Sequence, residues 1–378
     1  MSQFCFAATL LGSARLALLI LAYGWTSAVA QPAEQAAAVD VTLYGARPDG
    51  SGDSGPAFAR AAASLDLKVG GRIVAPPGVY NFDTTFDIPK FAGSAMVEFV
   101  MVGATLKTTN PIAIFRRLPA DQNEAMQMIG AAFLITGGRF VGTELPGQIG
   151  LELATTYSSI IRATQFERLD IGFDGYFNLG LRFENVRSTL NRTIDLRVQS
   201  GRGKWPGADR FNSGSNHTTF EGVRVYSAEG AFANIAVLGA SGVSIRNSII
   251  EGHNPVNGIY FDNEGAIVQA FIVENLHSES APQNAIITLK GTKPGGVYRI
   301  STVFLQTAHT LLDARELGAS RISIEDIPYV APLKSAFKLD PSSTMAGGGS
   351  WRFVNWPAAA KDARWWADGI VPDNLTQH

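Results

Sequence analysis

Cysteine is nearly missing: the chain has one in 378 residues, Cys5, inside an N-terminal leader, so the rest has neither disulfide nor thiol chemistry. Charge is also scarce. Charged residues make up 17%, and 31 basic against 33 acidic residues give a net charge of -2, so no global field draws the chain to nucleic acid or to an anionic membrane. Partners must be recognised locally. Metal-site signatures are lacking, with no His pair at ligand spacing and no EF-hand-like string, and so are phosphate loops and nucleophile elbows. No metal or other cofactor is expected. A calcium held jointly by a substrate and side chains from different parts of the fold remains possible in principle, but no sequence feature indicates it.

Long hydrophobic runs are missing too. Arg15 precedes the apolar stretch LALLILAYGW (16–25), and TSAVA (26–30) ends in the small-x-small pattern that signal peptidase reads. A signal peptide over 1–30 is therefore expected, with a periplasmic or secreted mature protein free of the membrane. The alternative, a membrane anchor, needs about twenty apolar residues, and Gly24 and Ser27 weaken the end of this run.

What is present is a hydrophobic content of 46%, enough for a substantial core, distributed as short alternating segments such as GVRVYS, NIAVLG, GIYFDN and RISIEDI between Gly, Asn, Asp and Pro turns. From Val41 onward the one helix-like stretch is 56–67, which Asp53 or Ser54 can cap and Pro56 can open. The strands repeat. A signature of apolar, charged, Asn-like and mostly apolar residues begins at Phe183, Phe220, Ile245, Val273 and Ile324, with Ile300 dividing the longest gap. The period of about 26 residues is one coil of a solenoid.

This pattern predicts an all-β chain, a single right-handed parallel β-helix over 31–350, with 40–82 as N-terminal cap and first coil and the aromatic-rich 351–378 as C-terminal cap. Phe183, Phe220, Ile245 and Val273 would line the interior while the Asn-like position turns the corner. Phe58, Ala62 and Leu65 of the helix would lie on the first coil and cover its unpaired edge.

Two opening segments, YGARPDGSGDSGPAFARAAAS (44–64) and GGRIVAPPGVYNF (70–82), resemble the N-terminal signature of the pectate-lyase-like superfamily of β-helix proteins. The matching residues are Tyr44, Gly45, Ala46, Asp49, Gly50, Asp53, Ala57 and Ala61, then Gly70, Gly71, Pro76, Gly78 and Tyr80. Ser54 stands where that signature often carries a second Asp. The resemblance implies the fold and a role with polysaccharides. It leaves open a lyase, a glycoside hydrolase (glycosidase), an epimerase, a tailspike or an exopolysaccharide-biosynthesis accessory protein. The polygalacturonase motifs are reduced to GHN at 252–254 and YRIS at 298–301, with no Asp-Asp pair.

The interval between Phe183 and Phe220 exceeds the period, and the excess falls in QSGRGKWPGADRFNSGSNH (199–217). Insertions in a solenoid project from one face and often form the binding side. Arg202 and Arg210 suit a uronate carboxylate, Trp205 offers a sugar ring an apolar face, and Lys204 or His217 can serve as a base. Packing of Trp205 against the wall is the plainer alternative. The segment 251–265, about one coil on, brings His253, Tyr260, Asp262 and Glu264, with His253 as a second candidate base and Tyr260 as a proton donor. An ordinary turn with a surface histidine is its plainer alternative.

The expected activity is therefore β-elimination on an acidic, uronate-containing polysaccharide. Lys204, His217, His253 and Tyr260 would be catalytic, and Arg202, Trp205, Asp209, Arg210, Asp262 and Glu264 would bind substrate. A non-catalytic glycan-binding role and glycoside hydrolysis by Asp209 and Asp262 are the alternatives. The column Glu184, Glu221, Arg246, Glu274 and Glu325 also admits a carboxylate pair, Glu221 with Glu274, but the intervening Arg246 favours a structural charge ladder. The polysaccharide is the expected partner. The sequence does not choose between a monomer and a trimer.

Overall fold

The computed structural model describes residues 37–208, 214–264, 270–279, 281–291, 296–306, 310–317, 319–328, 335–340, 349–356, 362–367, 371–372 and 375–378. The expected signal peptide (1–30), Asp209 and Arg210 lie outside the described residues. The described residues form a parallel β-solenoid of about 11 turns. Its strands lie in two parallel sheets, one of eighteen strands and a front sheet of ten.

The period-2 pattern accounts for each wall. In the strand Arg182–Glu184, Arg182 is exposed and Phe183 fully buried, and the same alternation recurs at Arg187–Thr189. Ile135, Ile161, Phe183, Phe220, Ile245, Val273, Ile300, Ile324 and Phe353 stand in register on successive rungs, all fully buried. Burying each such side chain contributes about 1.5–3 kcal/mol. Phe183 and Phe220 stack face to face at 4.7 Å.

The corner after this column explains its Asn-like position. Asn185, Asn247 and Asn275 have φ of 52°, 49° and 52°. That left-handed conformation costs most residues roughly 1–2 kcal/mol, whereas asparagine offsets the cost with local hydrogen bonds. Here the bonds run between coils: Asn275 Nδ2 donates to Asn247 Oδ1 at 2.7 Å, and Asn247 Nδ2 donates to Glu221 Oε1 at 2.7 Å. Outside the corner, Arg162 pairs with Glu184 at 2.6 Å, Arg246 with Glu274 at 3.4 Å and Arg299 with Glu325 at 2.7 Å. Arg246 stands in register between Glu221 and Glu274, so the outward column is a charge ladder.

At the N-terminal end the helix α1 spans Gly55–Ala63, shorter than the expected 56–67 because the chain turns at Asp66, whose carbonyl accepts from the N–H groups of Val69 and Gly70. Ser54 occupies the N-cap without a side-chain bond. Its neighbour Asp53 ties the turn down instead, accepting from Gly55 N at 3.0 Å, Asp83 N at 3.1 Å and Thr84 Oγ1 at 2.6 Å. Phe58, Ala62 and Leu65 are buried as expected. Phe58 lies within 6 Å of Tyr80, Phe82, Phe86 and Phe115, which makes α1 a plug on the first coils. Gly70 is required where it stands, since a Cβ there would lie 2.0 Å from the Met96 carbonyl oxygen at φ +91°.

The far end differs in detail from expectation. Ser350–Val354 pairs with Arg321–Glu325, and Leu375–Gln377 pairs in turn with Ser350–Val354, so the solenoid runs on past residue 350. Its end is an aromatic cluster in which Phe337 lies 4.6 Å from Trp366 and 5.3 Å from both Phe353 and Trp356. Among the described residues no helix is long and apolar enough to cross a membrane.

Candidate functional site

The front sheet is built from strands that include Ile171–Tyr176, Ile194–Gln199, Ala233–Leu238, Asn257–Asp262 and Ala285–Lys290, paired in that order. Two of its registers run across the wall: Asp174, Arg197, Ala236, Tyr260 and Thr288 in one, Tyr176, Gln199, Leu238, Asp262 and Lys290 in the other. Ala233–Leu238 supplies only Ala236 and Leu238 at these levels. Where the wall turns outward at the ends of these strands, a cleft of about 360 Å³ is lined by Gln199, Ser200, Arg202, Asp262, Glu264 and Lys290.

The cleft's charges are mixed. Lys290 Nζ lies 3.3 Å from Asp262 Oδ2, and this carboxylate holds the ammonium pKa above its usual value. Asp262 Oδ1 accepts from the Glu264 N–H at 2.9 Å, and Glu264 Oε2 accepts from Ser200 Oγ at 3.1 Å, bridging two coils. Among the described residues Arg202 makes no ion pair, so its guanidinium is available to an anion. The bridge passes over Gly239, whose φ is +63° and where a Cβ would lie 2.9 Å from Glu264 Oε2. Beside the cleft, the Tyr260 hydroxyl lies 3.4 Å from Asp262 Oδ2. Burial, reinforced by the Asp262 charge, raises its pKa, so Tyr260 keeps its proton and can donate it.

A buried network supports the upstream wall. Asp174, fully buried, accepts from Arg197 Nε at 2.9 Å and Arg197 Nη2 at 2.5 Å, and also from Gln199 Nε2 at 2.7 Å and Tyr176 Oη at 2.5 Å. Burial, then Asp174, pushes the Tyr176 pKa up. Burial alone would lower the Arg197 pKa, but the bonds and charge of Asp174 more than offset it and raise it. The network fixes Gln199, and through it the edge of the cleft.

Three of the residues expected to act together, Arg202, Asp262 and Glu264, do line one cleft, with Tyr260 beside it. The others are placed elsewhere. Lys204 Nζ is 2.7 Å from Glu152 Oε1 and 4.3 Å from the Tyr176 ring centre, so it is held in an ion pair away from the residues lining the cleft. Trp205 is 5% exposed and packs with Ala125 of the helix α2 (Gln122–Met128), Ala154, Tyr176, Phe177 and Ala208, so it presents no ring face to a sugar. His217 enters the strand Asn216–Glu221 next to Gly242, outside the residues lining the cleft. His253 precedes the strand Asn257–Asp262, whereas the cleft lies at the end of that strand, and six extended residues span roughly 17 Å. Its Nε2 instead hydrogen-bonds the Tyr226 hydroxyl. Asp209 and Arg210 lie outside the described residues.

Sequence reasoning missed Gln199, Ser200 and Lys290 in the cleft and the Asp174–Arg197 pair beside it. The usable signal was the final outward position of each front-sheet strand, visible once IDLRVQ, ANIAVL, NGIYFD and AIITLK are aligned on their buried residues. Among the described residues no group of three or more His, Cys, Asp or Glu side chains is placed to hold a metal ion.

No protein-family model matches the chain, and no curated protein does. Solved structures do. The Geobacillus virus E2 ORF18 protein aligns with a TM-score of 0.54 at 14% identity, over 80% of this chain and 61% of the other, so the chain spans less than two thirds of that structure. The A-module of mannuronan C-5 epimerase AlgE6 from Azotobacter vinelandii aligns with a TM-score of 0.51 at 12% identity, over 90% of this chain and 98% of the module. The AlgE4 A-module from the same organism gives 0.51 at 12% identity, over 82% and 93%. These likenesses and the observed rungs establish that the chain has the right-handed parallel β-helix fold of the pectate-lyase-like proteins.

Proposed function

We propose that this protein is exported and cleaves an acidic, uronate-containing polysaccharide by β-elimination in the front-sheet cleft. One observation carries the reading: a single cleft places the cations Arg202 and Lys290 beside carboxylates that can take a proton, with a phenol that keeps its own at the edge. The cleft's size is within the range of small-ligand sites. Arg202 and Lys290 neutralise the substrate carboxylate, which makes the C5 proton more acidic. Glu264 takes that proton, the electrons form the C4–C5 double bond, the C4–O4 bond breaks, and Tyr260 gives a proton to the departing oxygen. Exchange with solvent resets both side chains. The names of the two epimerase modules fit this reading, since epimerisation at C5 of a uronate also begins with loss of that proton.

The test is ultraviolet absorbance of the unsaturated uronate, followed with purified protein on polygalacturonate, polymannuronate and polyguluronate. A rising trace, abolished in Tyr260→Phe and Glu264→Gln, is the expected result. New reducing ends without ultraviolet absorbance would replace the reading by hydrolysis, which the shared placement of Asp262 and Glu264 in one cleft also favours. Neither signal on any uronan would overturn cleavage and leave a binding or accessory role.

A further inference from the structure

A second wall of the solenoid carries a feature that the front cleft does not use. Beyond the asparagine corner, the strands Gln165–Glu167, Arg187–Thr189 and Arg224–Ser227 stack with Gln165, Arg187 and Arg224 directly above one another, and Arg139 precedes Gln165 in the same column. The parallel column runs Glu167, Thr189, Tyr226 and Glu251. A cleft of about 390 Å³ opens here, lined in part by Arg139, Gln165, Glu167, Arg187 and Thr189.

Several other wall arginines are paired: Arg72 with Glu98, Arg162 with Glu184, Arg299 with Glu325. In this cleft Arg139 is likewise held by Glu167. Arg187 and Arg224 are exposed and make no ion pair among the described residues, although they occupy directly opposed positions about one rung spacing of 4.8 Å apart. Like charges so placed repel each other, and the sequence supplies Ile249, not an acid, as the next residue of the column. Two adjacent guanidinium forks left open on a rigid wall form a receptor for anions arriving at the same spacing.

We propose that this wall is a second, non-catalytic binding site for an acidic polysaccharide lying along the solenoid axis. Arg187 and Arg224 each take one carboxylate of neighbouring sugars, since a pyranose residue is close to one rung in length. Gln165 and Thr189 bond sugar hydroxyls, and Tyr226, its hydroxyl held by His253, bounds the track. The site stands whether or not the front cleft is catalytic.

Affinity electrophoresis through polygalacturonate, with dextran as the neutral control, tests it. Wild type is expected to be retarded by polygalacturonate and not by dextran. Arg187→Gln/Arg224→Gln is expected to weaken binding about tenfold or more, while Arg202→Gln, which removes one front-cleft contact, is expected to weaken it less. Turnover of a short uronate oligosaccharide, if the protein has it, is unchanged in the double variant. Circular dichroism checks its fold, and Arg187→Lys/Arg224→Lys, which keeps charge but loses the forks, should fall between the two. Wild-type retardation of the double Gln variant, equal retardation by dextran, or binding to phosphatidylserine vesicles in place of the glycan would each overturn the proposal.

Discussion

Replacing Gly239 by alanine tests the cleft at its floor. The residue sits at φ +63°, and the new Cβ would meet Glu264 Oε2 at 2.9 Å and Ser200 Cβ at 3.1 Å. The backbone alone makes alanine cost roughly 1–2 kcal/mol at this φ. The steric part is different in kind, because Glu264 is the free end of a flexible side chain and can swing away. It therefore adds little to the loss of stability but breaks the 3.1 Å bond from Ser200 and shifts the carboxylate from its place in the cleft. A bond to a charged group is worth about 1.5–3 kcal/mol when protected from water, and less in this open cleft, so a loss of roughly tenfold in kcat/KM on a uronan is expected. Gly230→Ala is the matched control: its φ is +68° and nothing lies within 4 Å of the new Cβ. Urea denaturation should show similar destabilisation in both variants, and initial rates should separate them. Equal rates in the two variants would refute the assignment of Gly239 and Glu264 to the site.

Asp195 is fully buried, and burial pushes its pKa up to about 6 although Ser188, Asn191 and Ser227 all donate to it. A folded pKa above the unfolded value stabilises the protein at low pH, and that contribution is lost as pH rises through about 6. Wild type should therefore gain about 1.5 kcal/mol relative to Asp195→Asn between pH 7.5 and pH 5, read from urea midpoints at each pH. Truncating one member of the 4.7 Å stack, Phe220→Ala, should cost about 3–5 kcal/mol, visible as an earlier urea transition. Asn275→Ala should cost about 1–2 kcal/mol, because it keeps the left-handed corner and loses the bond to Asn247. Asn275→Gly should recover part of that in the same assay.

The coil is written in the repeat. Its period of about 26 residues, the buried column through Phe183, Phe220 and Ile245, and the Asn-like corner were all legible because each depends on neighbours within one strand or on the same position one period later. The N-terminal plug was legible for the same reason, Phe58 being the apolar side of a short helix next to the first coil. What the sequence left open was which outward residues share a cleft. Trp205 and Lys204 looked exposed in a glycine-rich insertion, but the fold supplied α2 and Glu152 to bury the one and pair the other. His253 lies fewer than ten residues from Asp262, yet an extended strand carries them to opposite edges of the wall. Ser200 and Glu264, 64 residues apart, meet because two coils of winding bring their turns together. A period gives the height of each residue along the solenoid, whereas loop paths and partners across coils set which side chains converge, and these only the tertiary structure decides.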